Sequence, residues 1–211
     1  TKALLHTADL YEDFKNRKEY GLVAENVGLD FPAVMSRKDR IVLRLSKGIE
    51  TFLFKKHKIA LFKGQGRLEG SKAVVVKGDG GETNIATKNV ILATGSRPKS
   101  LPGITPDGKT ILTSDEILQL KEIPKSLIVI GAGAVGIEFA SMFARFGSTV
   151  TVIEMLPRVL PLEDEEISKE AEKHLAKHMT ILTGARTESA KVIEGGVQRI
   201  AVAVGAETAD H

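Results

Sequence analysis

The chain has 211 residues, 42% of them hydrophobic and 27% charged, enough for one large domain or one and a half ordinary ones and too apolar for wholesale disorder. It contains no cysteine, which excludes a disulfide framework, thiolate metal sites and thiol nucleophiles within these residues. Its net charge of +3 comes from basic clusters at 15–18, 37–40 and 55–58 that are interleaved with acids, and with 5% aromatics and no Trp these read as solvated helix faces rather than a nucleic-acid surface.

Taken in chain order, residues 1–18 read as a helix. A second, longer helix is predicted from about Ala33 to Lys56, because Val34, Ile41, Val42, Leu45, Ile49, Phe52 and Leu53 recur three or four apart. Short β-type runs follow at 59–62, 73–77 and 90–93, and Gly78-Asp79-Gly80-Gly81 has the composition of a hairpin turn. Between Thr94 and Lys109 the chain is dense in Pro and Gly, the composition of a connection between domains.

Thr113 and Glu116 have the spacing of a capping box opening a short helix. An alternation then sets in: strand 126–130, glycine loop, helix to Phe146 capped by Gly147, strand 149–154, helix from about Asp164, strand 179–182. Strand and helix alternating at this spacing predict a parallel sheet of βαβ units. Val202-Ala203-Val204-Gly205 reads as a further β-run of the same domain. No apolar run approaches the ~18–20 residues of a membrane-spanning helix, and residues 1–6 lack the pattern of a signal peptide.

The motif that carries chemistry is Gly131-Ala132-Gly133-Ala134-Val135-Gly136. By itself GxGxxG is weak, but here it follows an apolar strand and opens a helix with one apolar face. In that setting the first glycine permits a tight turn, the second lets a pyrophosphate approach the backbone, and the third lets helix pack on strand. The next strand ends in Glu154, 23 residues beyond Gly131, where a carboxylate accepts hydrogen bonds from the adenine-ribose hydroxyls. That acid favours NAD over NADP, although Arg158 is a nearby cation.

These segments carry a resemblance. Residues 131–140, 150–154 and Pro157-Arg158 look like the NAD domain of the dihydrolipoamide dehydrogenases, flavin-dependent members of the pyridine nucleotide–disulfide oxidoreductase family. Ala93-Thr94-Gly95-Ser96-Arg97-Pro98 resembles the segment by which that family's chain leaves its FAD domain. Lys63–Leu68 resembles its loop at the adenine end of FAD, and residues 1–5 resemble the helix after its redox-active cysteine pair.

The resemblance implies an α/β fold: a Rossmann-like NAD-binding domain over 111–211, with helices on both faces of its sheet, and part of an FAD-binding domain over 1–110. It also implies FAD contacts at Lys2, Gly66, Thr94, Gly95 and Ser96. NAD contacts follow at Gly131, Ala132, Gly133, Ala134, Val135, Gly136, Ile137, Glu138 and Glu154, with Glu138 pairing with Lys2. Thr187 falls, after a one-residue gap, on a backbone contact near adenine, and the small Ala134 with Glu154 favours the lipoamide branch.

The family's Cys-x4-Cys pair, its FAD-binding GxGxxG and its C-terminal dimerisation domain have no counterpart here, so the chain is expected to be a central, catalytically incomplete portion of a homodimeric parent. That parent would pass electrons from dihydrolipoamide, presented on lipoyl domains of 2-oxo acid dehydrogenase complexes, through a disulfide and FAD to NAD⁺. It would work in a bacterial cytoplasm, a mitochondrial matrix or a plastid. Another disulfide or mercuric reductase, or a non-catalytic NAD-sensing module, stays open as an alternative.

Lesser candidates have plainer explanations. His174 and His178 lie four apart on a predicted helix but lack a third ligand. His6, His57 and His211 stand alone, and the acidic run 163–166 suits the first turn of a helix. No catalytic or metal-binding residue is expected among them.

Overall fold

A computed structural model describes residues 1–192 and the backbone of 198–204. In chain order it comprises α1 (Lys2–Lys15), α2 (Phe31–Gly48) running into a π-helical stretch Ile49–Phe54, β1 (Gln65–Glu69), β2 (Ala73–Gly78), β3 (Gly81–Ala86), β4 (Ser126–Ile130), α3 (Ala134–Phe146), β5 (Thr149–Ile153), α4 (Glu165–Leu175), β6 (Thr180–Leu182), β7 (Ala185–Val192) and β8 (Gln198–Val204). The fold is mixed α/β, with a parallel sheet in the order β4-β5-β6 and antiparallel pairings elsewhere. The chain forms two compact units, one of residues 39–97 and one of residues 1–38 with 98–211. These boundaries differ from the division at about residue 110, because α1 and the start of α2 share a core with elements that follow residue 98.

That core explains the grouping. Leu4 and Ala8 of α1, together with Phe31, Val34 and Met35 of α2, are buried in one cluster with Phe139, Met142, Phe143 and Phe146 of α3 and with Val150 and Val152 of β5. The Phe31 ring lies 6.3 Å from that of Phe143 and 5.9 Å, edge-on, from that of Phe146, a favoured aromatic geometry. Arg145 of α3 pairs with Asp9 of α1, and the Lys15 ammonium donates to the Arg145 carbonyl at 2.8 Å. Buried Lys38 donates to the Leu118 carbonyl at 2.8 Å.

Local signals set several boundaries here. Gly147 takes φ 111°, and α3 ends in paired bonds from the Gly147 amide to Ala144 O (3.0 Å) and from the Ser148 amide to Phe143 O (2.9 Å). This is the left-handed helix stop that glycine makes without strain. Asp164 caps α4 by accepting from the Glu166 amide at 2.9 Å. The capping box forms, with the Thr113 amide donating to Glu116 Oε2 at 2.7 Å, but it opens a single 3₁₀ turn, Ile117–Gln119, rather than an α-helix. The Thr113 hydroxyl, and then its amide, hold the Glu116 carboxyl below the usual carboxylate range. β7 pairs antiparallel with β8, which contains residues 202–204 of the predicted β-run; Gly205 and His211 lie outside the described residues.

Within residues 39–97 the three antiparallel strands run in the order β1-β2-β3, and Gly78 pairs with Gly81 across the two-residue turn Asp79-Gly80, as its composition predicts. The predicted strands 59–62 and 90–93 do not form. A strand is stable only when its backbone amides and carbonyls find a partner edge, and among the described residues neither run has one. Ile91 and Leu92 are accordingly 91% and 69% exposed. The long predicted helix is present but changes from α to π at Ile49, and Val42, Leu45 and Phe52 of its apolar stripe are also exposed. Residues 1–18 form a helix only as far as Lys15, followed by turns.

Candidate nucleotide-binding site

β4 delivers the chain into the glycine turn. Gly131 takes φ 104°, a conformation that side chains strain against, and its amide donates to the Ile153 carbonyl at 2.8 Å, extending the parallel ladder one residue past β4. Ala132 is fully buried, and its carbonyl accepts from the Leu160 amide at 2.8 Å. Gly133 is the N-cap residue of α3 and, like Ala134 and Val135, is exposed.

No side chain caps α3. The amides of Ala134, Val135 and Gly136 therefore have no acceptor within the helix and lie at its positive end, the arrangement that receives phosphate oxygens. Gly136 is required by close packing. A Cβ there would lie 2.0 Å from the Gly131 carbonyl oxygen and 3.3 Å from Val129 Cγ1, whereas one at Gly133 would meet nothing within 4 Å. One glycine lets the helix seat on the turn, and the other leaves open the space in front of it.

Glu154 follows β5 and is 8% exposed. Its amide donates to Leu182 O at 2.8 Å and its carbonyl accepts from the Ala185 amide at 2.9 Å, so the backbone is held on both sides. The carboxylate turns into the glycine loop: Oε2 accepts from the Ala132 amide at 2.7 Å and Oε1 from the Leu156 amide at 2.8 Å. Arg158 is engaged by its own loop. One guanidinium nitrogen donates to the carbonyls of Pro161 and Glu163 at 3.1 and 3.2 Å, and another lies 4.0 Å from Glu165. A hydrogen bond and charge from Lys169, then the charge of Arg158, hold the Glu165 carboxyl below its usual range.

The structure thus gathers residues 131–136 and Glu154 into one cradle. Ile137 is buried in the core and Glu138 half-buried on α3, while Lys2 is exposed at the start of α1. Lys2 and Glu138 form no ion pair among the described residues. Thr187 stands on β7 beside a bulge, its buried Oγ1 without a hydrogen-bond partner. Gly66, on β1, and Thr94, Gly95 and Ser96 are exposed and belong to the 39–97 unit. The amides of Leu156 and Leu160, which complete the loop, escaped sequence reading because a backbone donor carries no side-chain signature. His174 contacts Glu170 at 2.9 Å and His178 lies 3.9 Å from Glu12, and no group of metal-ligating side chains occurs among the described residues. Nor, among those residues, is any helix long and apolar enough to cross a membrane.

A parallel sheet in the order β4-β5-β6, with a glycine turn after its first strand and an acid after its second, defines an α/β protein built from βαβ units. Residues 1–209 match the family "Pyridine nucleotide-disulphide oxidoreductase", and the chain belongs to it. It is 40% identical to the dihydrolipoyl dehydrogenase of Chlorobaculum parvum over 209 residues, 98% of this chain and 44% of that protein. It is 44% identical to the dihydrolipoyl dehydrogenase of Bacillus subtilis over 196 residues, 88% of this chain and 41% of that one. Its fold superposes on LpdA of Mycobacterium tuberculosis with a TM-score of 0.85 at 23% identity, covering 97% of this chain and 45% of that one. The chain spans less than half the length of these relatives and has no cysteine.

Proposed function

We propose that these residues form the NAD-binding part, and a portion of the FAD-binding part, of a dihydrolipoamide dehydrogenase. The parent protein would carry electrons from dihydrolipoamide, borne on lipoyl domains, through a redox disulfide and FAD to NAD⁺. NAD⁺ when bound supplies the hydride acceptor; the residues here bind and orient it. The amides of Ala134, Val135 and Gly136 would hold the pyrophosphate, with Gly131, Ala132 and Gly133 shaping the turn beneath it. Glu154 would accept from the adenine-ribose hydroxyls, and Ile137, Glu138 and Thr187 would flank the nucleotide.

A single observation carries this reading: the buried Glu154 carboxylate is directed at the glycine cradle, 2.7 Å from the Ala132 amide. The open space in front of Gly133 and the uncapped start of α3 fit a pyrophosphate. Arg158, bonded to its own loop carbonyls, offers little to a 2′-phosphate, which supports NAD over NADP.

For FAD the support is narrower. The exposed hydroxyls of Thr94 and Ser96 make no hydrogen bond among the described residues, and with Gly66 of the same unit they would contact the flavin nucleotide. The exposed apolar runs 59–62 and 90–93 favour weak flavin retention by these residues alone.

Titration of the purified chain followed by calorimetry is expected to show NAD⁺ binding at least about tenfold tighter than NADP⁺, the size of one lost charged contact, and little flavin absorbance. Equal affinities would remove Glu154 from its role, and a stoichiometric, tightly held FAD would refute the narrower part. No dihydrolipoamide-dependent NADH production is expected, because a chain without cysteine offers no disulfide for the substrate's thiolate to attack and reduce.

A further inference from the structure

We propose that Glu154 is also a positioning residue: its carboxylate ties the turn after β4 to the turn after β5 and holds the phosphate cradle in shape before any nucleotide arrives. The inference rests on the reading that the cradle binds NAD, and extends it from contact to preorganisation. Oε2 accepts from the Ala132 amide at 2.7 Å and Oε1 from the Leu156 amide at 2.8 Å, across 22 and 2 residues of chain respectively. Both turns are otherwise joined by few bonds: Gly131 amide to Ile153 O and Leu160 amide to Ala132 O, each 2.8 Å.

The side chain is 8% exposed, so most of it is shielded, and an amide left without an acceptor there loses much of the worth of its bond. Only a carboxylate supplies acceptors at both ends. Glutamine in its place would turn an NH2 group toward one of the two amides, donor against donor. Aspartate is one methylene too short to span them. Each carboxylate oxygen has a second acceptor direction, so accepting from the ribose hydroxyls is compatible with the tie. Glu154 would then govern affinity for any nucleotide that uses the cradle, including one with no ribose hydroxyls to offer.

The test compares the chain with Glu154→Gln and Glu154→Asp. Amide hydrogen exchange without nucleotide is expected to accelerate by about tenfold or more, the equivalent of one buried charged hydrogen bond, over 131–133 and 155–160 in Glu154→Gln. The aspartate variant should show a similar change, and protection in the hairpin β2–β3 should not move. Binding of an NAD⁺ analogue lacking the adenosine 2′- and 3′-hydroxyls should weaken by a comparable factor. Unchanged exchange in those loops, or unchanged affinity for the analogue, would reduce Glu154 to a ribose acceptor and overturn the proposal. Loss of protection throughout residues 98–192 would overturn it too, by making the carboxylate a support of the whole unit. The exchange measurement needs no ligand, so it still reads the tie if the chain proves not to bind NAD⁺ at all.

Discussion

Gly136→Ala is expected to destabilise the unit that contains it by about 3 kcal/mol or more and to abolish measurable NAD⁺ binding. The added methyl would lie 2.0 Å from the Gly131 carbonyl oxygen and 3.1 Å from its carbon. Those atoms are backbone, pinned by the hydrogen bond that the Gly131 N–H donates to the Ile153 carbonyl, so relief requires moving α3 off the turn. Overpacking a closed contact typically costs ~1–3 kcal/mol, more when the obstacle cannot rotate away. Moving the helix also carries the amides of Ala134 and Val135 out of register with a phosphate.

Gly133→Ala is the matched control. A methyl there meets nothing within 4 Å and the residue has φ −71°, so the fold should lose only about 1 kcal/mol, the cost of alanine in place of glycine at an N-cap. The same methyl projects into the space proposed for the pyrophosphate, so binding should fall. Denaturant midpoints and NAD⁺ titrations on the two variants separate the roles. If both lose stability equally, or if Gly133→Ala binds normally, the division of labour between the two glycines is wrong.

Phe143→Ala is expected to cost ~3–5 kcal/mol, the range for removing a fully buried aromatic ring. Phe143 is 1% exposed, and its ring lies 6.3 Å from Phe31 and 6.1 Å, edge-on, from Phe146. It therefore joins the start of α2 to α3 within one core. Since a domain's whole stability is about 5–15 kcal/mol, chemical denaturation should show a large fall in the midpoint of this unit, with NAD⁺ binding lost along with it. A fall below ~1 kcal/mol would mean that the start of α2 does not seal this core. Phe14→Ala on the same helical framework, 47% exposed on α1, should change stability far less.

Where a feature depends on neighbours a few residues apart, the amino-acid order by itself places it. The strand 126–130, the helix ending at Phe146, the glycine stop at 147, the helix start at about Asp164 and the turn at 79–80 all lie where their residues placed them. Apart from the strand, whose ladder partner β5 lies some twenty residues on, each depends on dihedral preference, capping chemistry or a short periodicity among residues near one another in the chain. The acid at 154 was legible for the same reason, since a βαβ unit of ordinary length carries the second strand end beside the first.

Other features were decided by tertiary structure. The runs 59–62 and 90–93 have strand composition, yet strand formation needs a partner edge, and composition does not say whether one is present. The grouping of α1 and the start of α2 with α3 depends on Phe31 meeting Phe143 and Phe146 across more than a hundred residues, which no local pattern encodes. The two amides that hold Glu154 belong to the backbone, where every residue looks alike until the chain is folded. The amino-acid order by itself thus determined the cradle's glycines and the acid facing them, because torsional freedom and charge belong to residues. Only the folded chain decided which face of each helix is covered and how that carboxylate is spent, because burial and hydrogen-bond pairing are properties of distant segments brought together.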